Sequence, residues 1–174
     1  MNDELILVDI FDTPIGSGEK MAVHNNGLLH RAFSVFIYHG DRILLQKRNQ
    51  HKYHSGGLLT NACCSHPRVG EKLTAAVSRR LKEELGIRCD SQELFHFVYR
   101  AEFENGVTEY EYDHVFAADY CGSLLPNPDE IEYVKWISFQ ALGKAIADTP
   151  NLFTPWFIIS APKVLEILSS RLRL

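Results

Sequence analysis

The chain has 174 residues, with 18 Lys and Arg against 22 Asp and Glu, so its formal net charge is −4. With 45% hydrophobic and 23% charged residues it has an average globular composition, which excludes a disordered or fibrous protein. The mild acidity provides no long-range field that attracts nucleic acid or an anionic membrane, so we expect neither as a partner. An anionic ligand would therefore need a local cluster of basic residues.

The N-terminal sequence and the cysteines indicate the compartment. The first residues, MNDELILVDIFD, are acidic where a secretory signal needs basic residues, and no run of about 18 apolar residues occurs. We therefore expect a soluble, cytoplasmic protein. No repeat or linker divides the sequence, which predicts one domain over residues 1–174. The cysteines form neither a disulfide framework nor a complete zinc module, so we expect reduced thiols at Cys63, Cys64, Cys89 and Cys121.

The predicted elements follow from periodicity and turn residues. In chain order they are strands at 32–38 and 42–47, a helix at 72–85, strands at 94–103, 107–118 and 133–138, and helices at 139–147 and 157–172. His39-Gly40-Asp41 and Glu104-Asn105-Gly106 each join two strands into a hairpin, and Gly86 closes the first helix. We place Pro162 near the start of the last helix. This order predicts an α+β fold in which helices cover a mixed sheet.

Two charged residues interrupt the apolar face of the helix at 72–85. Arg80 and Glu84 fall within the apolar stripe, on the side of the helix that should be buried. Burying charge is costly unless the charge is paired or bound to a metal. Two alternatives follow: the two residues form an i, i+4 ion pair, or Glu84 faces a polar cavity beneath the helix.

Three acidic residues share one face of the strand at 107–118. Because side chains alternate along a strand, Glu109, Glu111 and Asp113 point one way, while Tyr112 and His114 point the other. Same-face neighbours lie about 7 Å apart, so the three carboxylates repel one another. They are therefore either solvated or gathered around a cation.

The segment at 51–68, HKYHSGGLLTNACCSHPR, concentrates reactive side chains. Cys64 precedes His66 by two residues, a spacing that fits a nucleophile pair, half of a metal site, or a buried thiol beside a surface imidazole. Taken alone, the basic and histidine residues near these elements are typical of an ordinary protein surface or core; they are Lys20, His24, His30, Arg48, Lys52 and Arg68.

Longer motifs carry a specific resemblance. SGGLLTNACCSHP at 55–67, GE at 70–71 and RRLKEELGI at 79–87 together resemble type I isopentenyl diphosphate isomerase, a family with the Nudix fold. The similarity runs from GEK at 18–20 to TPW at 154–156. It implies a mixed β-sheet covered by helices on both faces. Leu59 departs from the pattern, since the family usually has tryptophan there, and this changes the pocket wall.

The generic Nudix box separates the isomerases from their relatives. The box reads G, five residues, E, seven residues, then REUxEExGU, where U is aliphatic. In this chain Ser65 stands at the box glycine and Arg80 at the first helix glutamate. That glutamate helps to hold the magnesium used in diphosphate hydrolysis, so its loss favours an isomerase over a Nudix diphosphate hydrolase. A non-catalytic metal- or diphosphate-binding module is the other alternative, and it is disfavoured because Cys64 and Glu111 are both present.

The resemblance implies conversion of isopentenyl diphosphate to dimethylallyl diphosphate in isoprenoid biosynthesis, by adding one proton to the alkene and removing another from the allylic carbon. The family's catalytic cysteine and glutamate fall on Cys64 and Glu111, and Tyr99 matches the tyrosine that hydrogen-bonds the glutamate. Mg²⁺ would bridge the substrate diphosphate to Glu84. A further divalent ion, Mn²⁺, Zn²⁺ or Mg²⁺, would be bound by His24, His30, His66, Glu109 and Glu111.

The resemblance also assigns the substrate contacts. Lys20, Arg48, Lys52 and Ser65 match the positions that bind the diphosphate. Trp156 matches the tryptophan whose π face stabilises the developing cation without offering a nucleophile. The expected partner is therefore a small molecule, and we expect the protein to be a monomer or a weak homodimer.

Overall fold

The computed structural model describes residues 4–172. Within this range nine strands form one mixed sheet, and four helices pack around it. The strands are β1 (Glu4–Val8), β2 (Pro14–Glu19), β3 (His30–His39), β4 (Arg42–Arg48), β5 (Leu59–Thr60), β6 (Cys63–Ser65), β7 (Gln92–Glu102), β8 (Thr108–Asp119) and β9 (Ile131–Ser138). The helices are α1 (Lys20–Asn25), α2 (Leu73–Leu85), α3 (Phe139–Asp148) and α4 (Pro155–Leu172), and a 3₁₀ turn covers Pro150–Leu152.

Strand β3 lies at the centre of the sheet. It pairs in parallel with β8 along its whole length, from His30 opposite Glu111 to Tyr38 opposite Asp119. On its other side β3 pairs antiparallel with β6, where Ser34 lies opposite Cys64. Strands that are distant in sequence therefore place their side chains on one patch of sheet.

Helices cover both faces of the sheet, as predicted. Phe33, Val35 and Ile37 of β3 pack into a core with α2, whereas the alternate residue Phe36 packs against α4. The rings of Phe36 and Phe157 are stacked, with centroids 5.7 Å apart. This alternation follows from the pleat of the strand and confirms the α+β fold. Every helix within residues 4–172 is too short or too polar to cross a lipid bilayer.

Most of the predicted elements are confirmed. The two hairpins form, the helices at 72–85 and 139–147 are within one residue of α2 and α3, and Gly86 ends α2 with a left-handed φ of 70°. The cysteines are free thiols, as expected. The single domain over residues 1–174 stays a prediction.

Three differences have clear physical reasons. The prediction for Pro162 is wrong: α4 begins at Pro155, so Pro162 lies in the helix interior, where it lacks the N–H for one backbone hydrogen bond. Strands β1 and β2 are missing from the prediction. PIGSGE of β2 is exposed and lacks apolar alternation, and ELILV of β1 is an apolar run of only five residues, too short to show a period. Helix α1 is missing because its six residues are too few to show a helical period.

Candidate active site

A cavity of about 240 Å³ lies where the central strands meet the helices. Its walls combine acidic, basic, aromatic and thiol side chains. Most of the predicted site residues line it, namely Lys20, Arg48, Lys52, Cys64, Ser65, His66, Tyr99, Glu109, Glu111 and Trp156. His24 and His30 are fully buried beside Glu109 and Glu111.

The five residues expected to bind a divalent ion lie together. One ligand atom from each of His24, His30, His66, Glu109 and Glu111 falls within 4.8 Å of all the others. The fold explains the clustering, because the register of β3 on β8 sets His30 beside Glu111, and β6 delivers His66 to the same place. His24 comes from the last turn of α1, and its Nε2 lies 3.3 Å from Glu109 Oε1.

The hydrogen bonds of two histidines fit a cation at this cluster. The Nδ1 atom of His24 donates to the Lys20 carbonyl at 2.6 Å, and that of His30 donates to the Leu28 carbonyl at 2.8 Å. A carbonyl only accepts, so each neutral imidazole presents an unprotonated Nε2 to the cluster. His30 Nε2 lies 3.2 Å from His66 Nε2, and the buried Oε2 of Glu109 has no hydrogen-bond partner. The donor set therefore fits a divalent metal ion.

Two histidines of the cluster have shifted pKa values, and a proton on a histidine would compete with a metal ion for the same nitrogen. Burial lowers the pKa of His24, but its hydrogen bond to Glu109 and the charge of Glu109 outweigh this, so the pKa is raised above 6.5. Burial lowers the pKa of His66 to about 4, although its hydrogen bond to Glu111 opposes the shift. His66 is thus neutral at physiological pH, as a metal ligand must be.

His54 belongs to this site but was not among the predicted site residues. Its Nε2 lies 2.6 Å from Glu109 Oε1, and its ring stacks on Phe103 with centroids 4.7 Å apart. Burial raises the pKa of Glu109, yet the hydrogen bonds from His24 and His54 prevail and hold it well below the usual value. The crowding of reactive residues at 51–68 was the available signal, but it did not single out His54.

The three acidic residues of β8 are buried, which rejects the solvated alternative. Glu111 accepts a hydrogen bond from the Tyr99 hydroxyl at 2.6 Å, and its other oxygen lies 2.8 Å from His66 Nε2. Asp113 accepts a hydrogen bond from Ser34 Oγ at 2.8 Å. Burial and the charge of Glu111 raise the pKa of Asp113 well above its usual value, which disfavours a third negative charge on this face of the strand.

The adjacent cysteines of β6 point in opposite directions. Cys63 is fully buried, and its Sγ donates to Glu84 Oε1 at 3.4 Å. Cys64 lines the cavity, and Arg48 Nη1 lies 3.7 Å from its Sγ. Burial raises the pKa of Cys64 to about 12 although Arg48 opposes the shift, so the thiol keeps its proton at neutral pH.

Comparison with known proteins identifies the family. The NUDIX domain family matches residues 28–157. An isopentenyl-diphosphate Delta-isomerase from Burkholderia multivorans is 48% identical, over 90% of this chain and 90% of its own length. Isopentenyl-diphosphate Delta-isomerase 2 from Photorhabdus laumondii is 47% identical, over 90% of this chain and 89% of its own. The chain belongs to the isopentenyl-diphosphate Delta-isomerase family.

Solved structures agree on the fold. A crystal structure of a Deinococcus radiodurans protein gives a TM-score of 0.77 at 17% identity, over 92% of this chain and 98% of the other. The MutT NUDIX hydrolase from Burkholderia pseudomallei gives 0.63 at 24% identity, over 78% and 98%. At these identities the likeness shows the Nudix fold and carries no information about the reaction.

In this member of the isomerase family, the two charges inside the stripe of α2 form an ion pair. Arg80 Nη2 lies 2.6 Å from Glu84 Oε1 and 3.1 Å from Glu130 Oε1, and Lys52 also pairs with Glu130. Glu84 is only 3% exposed and lies outside the cavity wall, whereas Arg80 is part of it. The ion-pair alternative is therefore confirmed, and the role of Glu84 toward Mg²⁺ stays a prediction.

Proposed function

We propose that this protein isomerises isopentenyl diphosphate to dimethylallyl diphosphate, in isoprenoid biosynthesis, within this cavity. One observation carries the proposal: a protonated thiol, Cys64, and a buried carboxylate, Glu111, line the same cavity, beside a cluster of basic side chains. The reaction moves a double bond without changing composition, so it needs one site that gives a proton and another that takes one.

The basic residues would bind the diphosphate. Lys20, Arg48 and Lys52 line the cavity with Ser65, and together they supply the local positive charge that the net charge of −4 does not. Arg48 is only 7% exposed and its Nε has no hydrogen-bond partner. An anionic oxygen of the substrate would satisfy that buried donor.

Cys64 and Glu111 would act on opposite faces of the bound alkene. One of them adds a proton to the terminal carbon, and the other takes a proton from the allylic carbon, so the net charge of the protein is unchanged. One proton must then pass from the group that accepted it back to the group that donated it, which restores the starting protonation states. Tyr99 orients the Glu111 carboxylate through its 2.6 Å hydrogen bond. A closed pocket that positions both groups is needed, because an alkene is a weak base and its tertiary cation reacts readily with water.

Trp156 would stabilise the positive charge between the two proton transfers. Its Nε1 donates to Asn61 Oδ1 at 3.1 Å, which fixes the plane of the indole. The ring already faces one cation, because the Arg48 guanidinium lies 5.3 Å from its centroid. A π face attracts a carbocation without forming a bond to it.

The five-residue cluster would hold Mn²⁺, Zn²⁺ or Mg²⁺, and Mg²⁺ would accompany the substrate diphosphate. Bound there, the ion would lower the proton affinity of the Glu111 carboxylate, which shares the cluster and lines the cavity. The protein's own contribution is to fix the ligands, through the backbone hydrogen bonds of His24 and His30. We place the enzyme in the cytoplasm as a monomer or weak homodimer, acting on this small molecule and not on nucleic acid or membrane.

Proton NMR of isopentenyl diphosphate incubated with the protein and divalent metal in deuterated water tests the proposal. Isomerisation gives dimethylallyl diphosphate carrying deuterium. Release of phosphate without a new alkene would establish a hydrolase instead. Metal and diphosphate binding without either product would establish a non-catalytic binding module.

A further inference from the structure

We propose a second divalent-metal site on the outer face of the β7–β8 hairpin, formed by Glu93, His96 and His114 and suited to Zn²⁺. This face points away from the cavity, because side chains alternate along β8 and those of Glu109, Glu111 and Asp113 occupy the inner face. The site is separate from the proposed isomerase chemistry.

The hairpin register places the three ligands together. His96 lies directly opposite His114 on the neighbouring antiparallel strand, so both imidazoles leave the sheet on the same side. Glu93 precedes His96 by three residues and would normally point to the other face. The register shift between Glu93 and Phe95 reverses this, because the extra residue of a bulge changes the alternation.

The ligand atoms are close enough for one ion. One ligand atom from each of Glu93, His96 and His114 lies within 4.8 Å of the other two. Glu93 Oε1 is 2.8 Å from His114 Nδ1 and 3.8 Å from His96 Nδ1. Two imidazole nitrogens and one carboxylate oxygen are the donors that Zn²⁺ prefers.

The groups behind His114 are those of a metal-binding histidine. Its Nε2 donates to Asp12 Oδ2 at 3.0 Å, and Arg31 holds Asp12 through contacts of 2.7 Å to Oδ1 and to the backbone carbonyl. A carboxylate on one imidazole nitrogen directs the lone pair of the other nitrogen toward a metal. Here Nδ1 faces the Glu93 carboxylate at 2.8 Å, so an ion bound to Nδ1 would lie beside a second ligand.

The exposure of the ligands indicates a reversible site. The side chains of His96 and Glu93 are 56% and 40% exposed, whereas that of His114 is 10% exposed. Water therefore completes the coordination sphere, and the ion exchanges with solvent. When bound, it would tie β7 to β8, the two strands that carry Tyr99, Glu109 and Glu111.

Zinc binding to the full chain tests the proposal. We expect equilibrium dialysis at buffered free Zn²⁺ to show one more zinc equivalent on the wild-type protein than on His96→Ala, which removes an exposed side chain and keeps the fold. His39→Ala is the matched control: His39 is also exposed and pairs with Asp119 at 2.9 Å, but it does not belong to the cluster. It should bind zinc as the wild type does.

Two further variants separate this site from the cavity. His24→Ala should lose a different zinc equivalent and keep the one that His96→Ala loses, so failure of either metal site is seen independently of the other. Asp12→Asn keeps all three ligands, tolerates the φ of 63° at this position, and should weaken zinc binding at the hairpin by about 10- to 100-fold. Equal zinc stoichiometry for His96→Ala and the wild type would overturn the proposal, as would unchanged affinity in Asp12→Asn.

Discussion

The two faces of β8 carry similar residue types under opposite conditions. On the inner face, Glu109 and Glu111 are 2% and 7% exposed, and their partners come from α1, β3, β7 and the segments on either side of β6. On the outer face, Glu93 and His96 meet His114 from the adjacent strand, water reaches the side chains of Glu93 and His96, and His114 also pairs with Asp12. Buried charges need partners from the whole fold, whereas exposed charges are satisfied locally.

This contrast predicts where substitutions abolish chemistry. We expect Cys64→Ala to lower isomerisation by about 10²- to 10⁴-fold, the range for loss of a proton-transfer group. Cys63→Ala, one residue away, should keep substantial activity because its thiol points at Glu84 and away from the cavity. Deuterium incorporation measures activity, and thermal unfolding checks the fold. Equal loss in two folded variants would show that the assignment of the catalytic thiol is wrong.

The inner face should depend on a metal ion. His30→Ala should reduce divalent-metal affinity by more than about 100-fold. Mutation of a residue that only hydrogen-bonds a metal ligand already lowers metal affinity by about 10- to 100-fold, and His30 would be a ligand itself. Affinity in the wild type should fall with falling pH, because ligands must lose their protons. As the pH falls, His24, whose pKa is raised, should be protonated before His66, whose pKa is lowered to about 4. Metal analysis after dialysis at graded pH measures this, and a pH-independent affinity would contradict the ligand set.

The two faces offer a matched pair of tyrosines. Tyr99→Phe removes the hydrogen bond to the Glu111 carboxylate. We expect kcat to fall by at least about 10-fold, because loss of a hydrogen bond to a charged group usually costs about 1.5 kcal/mol or more. Tyr112→Phe removes a hydroxyl from the outer face. It should leave kcat within about twofold of the wild type, because the Tyr112 side chain does not line the cavity. Steady-state kinetics of both variants decides. Similar losses would mean that β8 responds as one rigid unit.

The ion pair of α2 should have the smallest effects. Glu84→Gln should weaken substrate-dependent Mg²⁺ binding more than it weakens metal occupancy of the histidine cluster, because Glu84 is not one of the five ligands. Arg80→Glu restores the first helix glutamate of the Nudix box but should not create an efficient hydrolase, since hydrolysis needs a positioned water that this pocket should exclude. Phosphate release assays measure the second effect. Hydrolysis at a rate close to wild-type isomerisation would contradict this view of the pocket.

The sequence predicted the parts of the molecule that local patterns determine. Alternation on β8 separated Glu111 from His114, and the motif around Cys64 indicated the family. The sequence did not decide whether Glu84 forms an ion pair or faces a polar cavity. That outcome depends on Arg80 and on Glu130, which lies in a loop distant in sequence. His54 was missed for the same reason: its importance comes from Glu109, which lies 55 residues further along the chain.

The parallel pairing of β3 with β8 has a consequence for folding. His30 and Glu111 are neighbours in the register although 81 residues separate them. Closing so long a loop is slow and loses entropy before any contact is gained, so the pairing forms only after chain collapse is well advanced. A fragment that ends before β8 lacks both catalytic-site carboxylates. During synthesis the active centre therefore cannot assemble until the chain has been made through Trp156, and gain of activity reports that the fold is nearly complete.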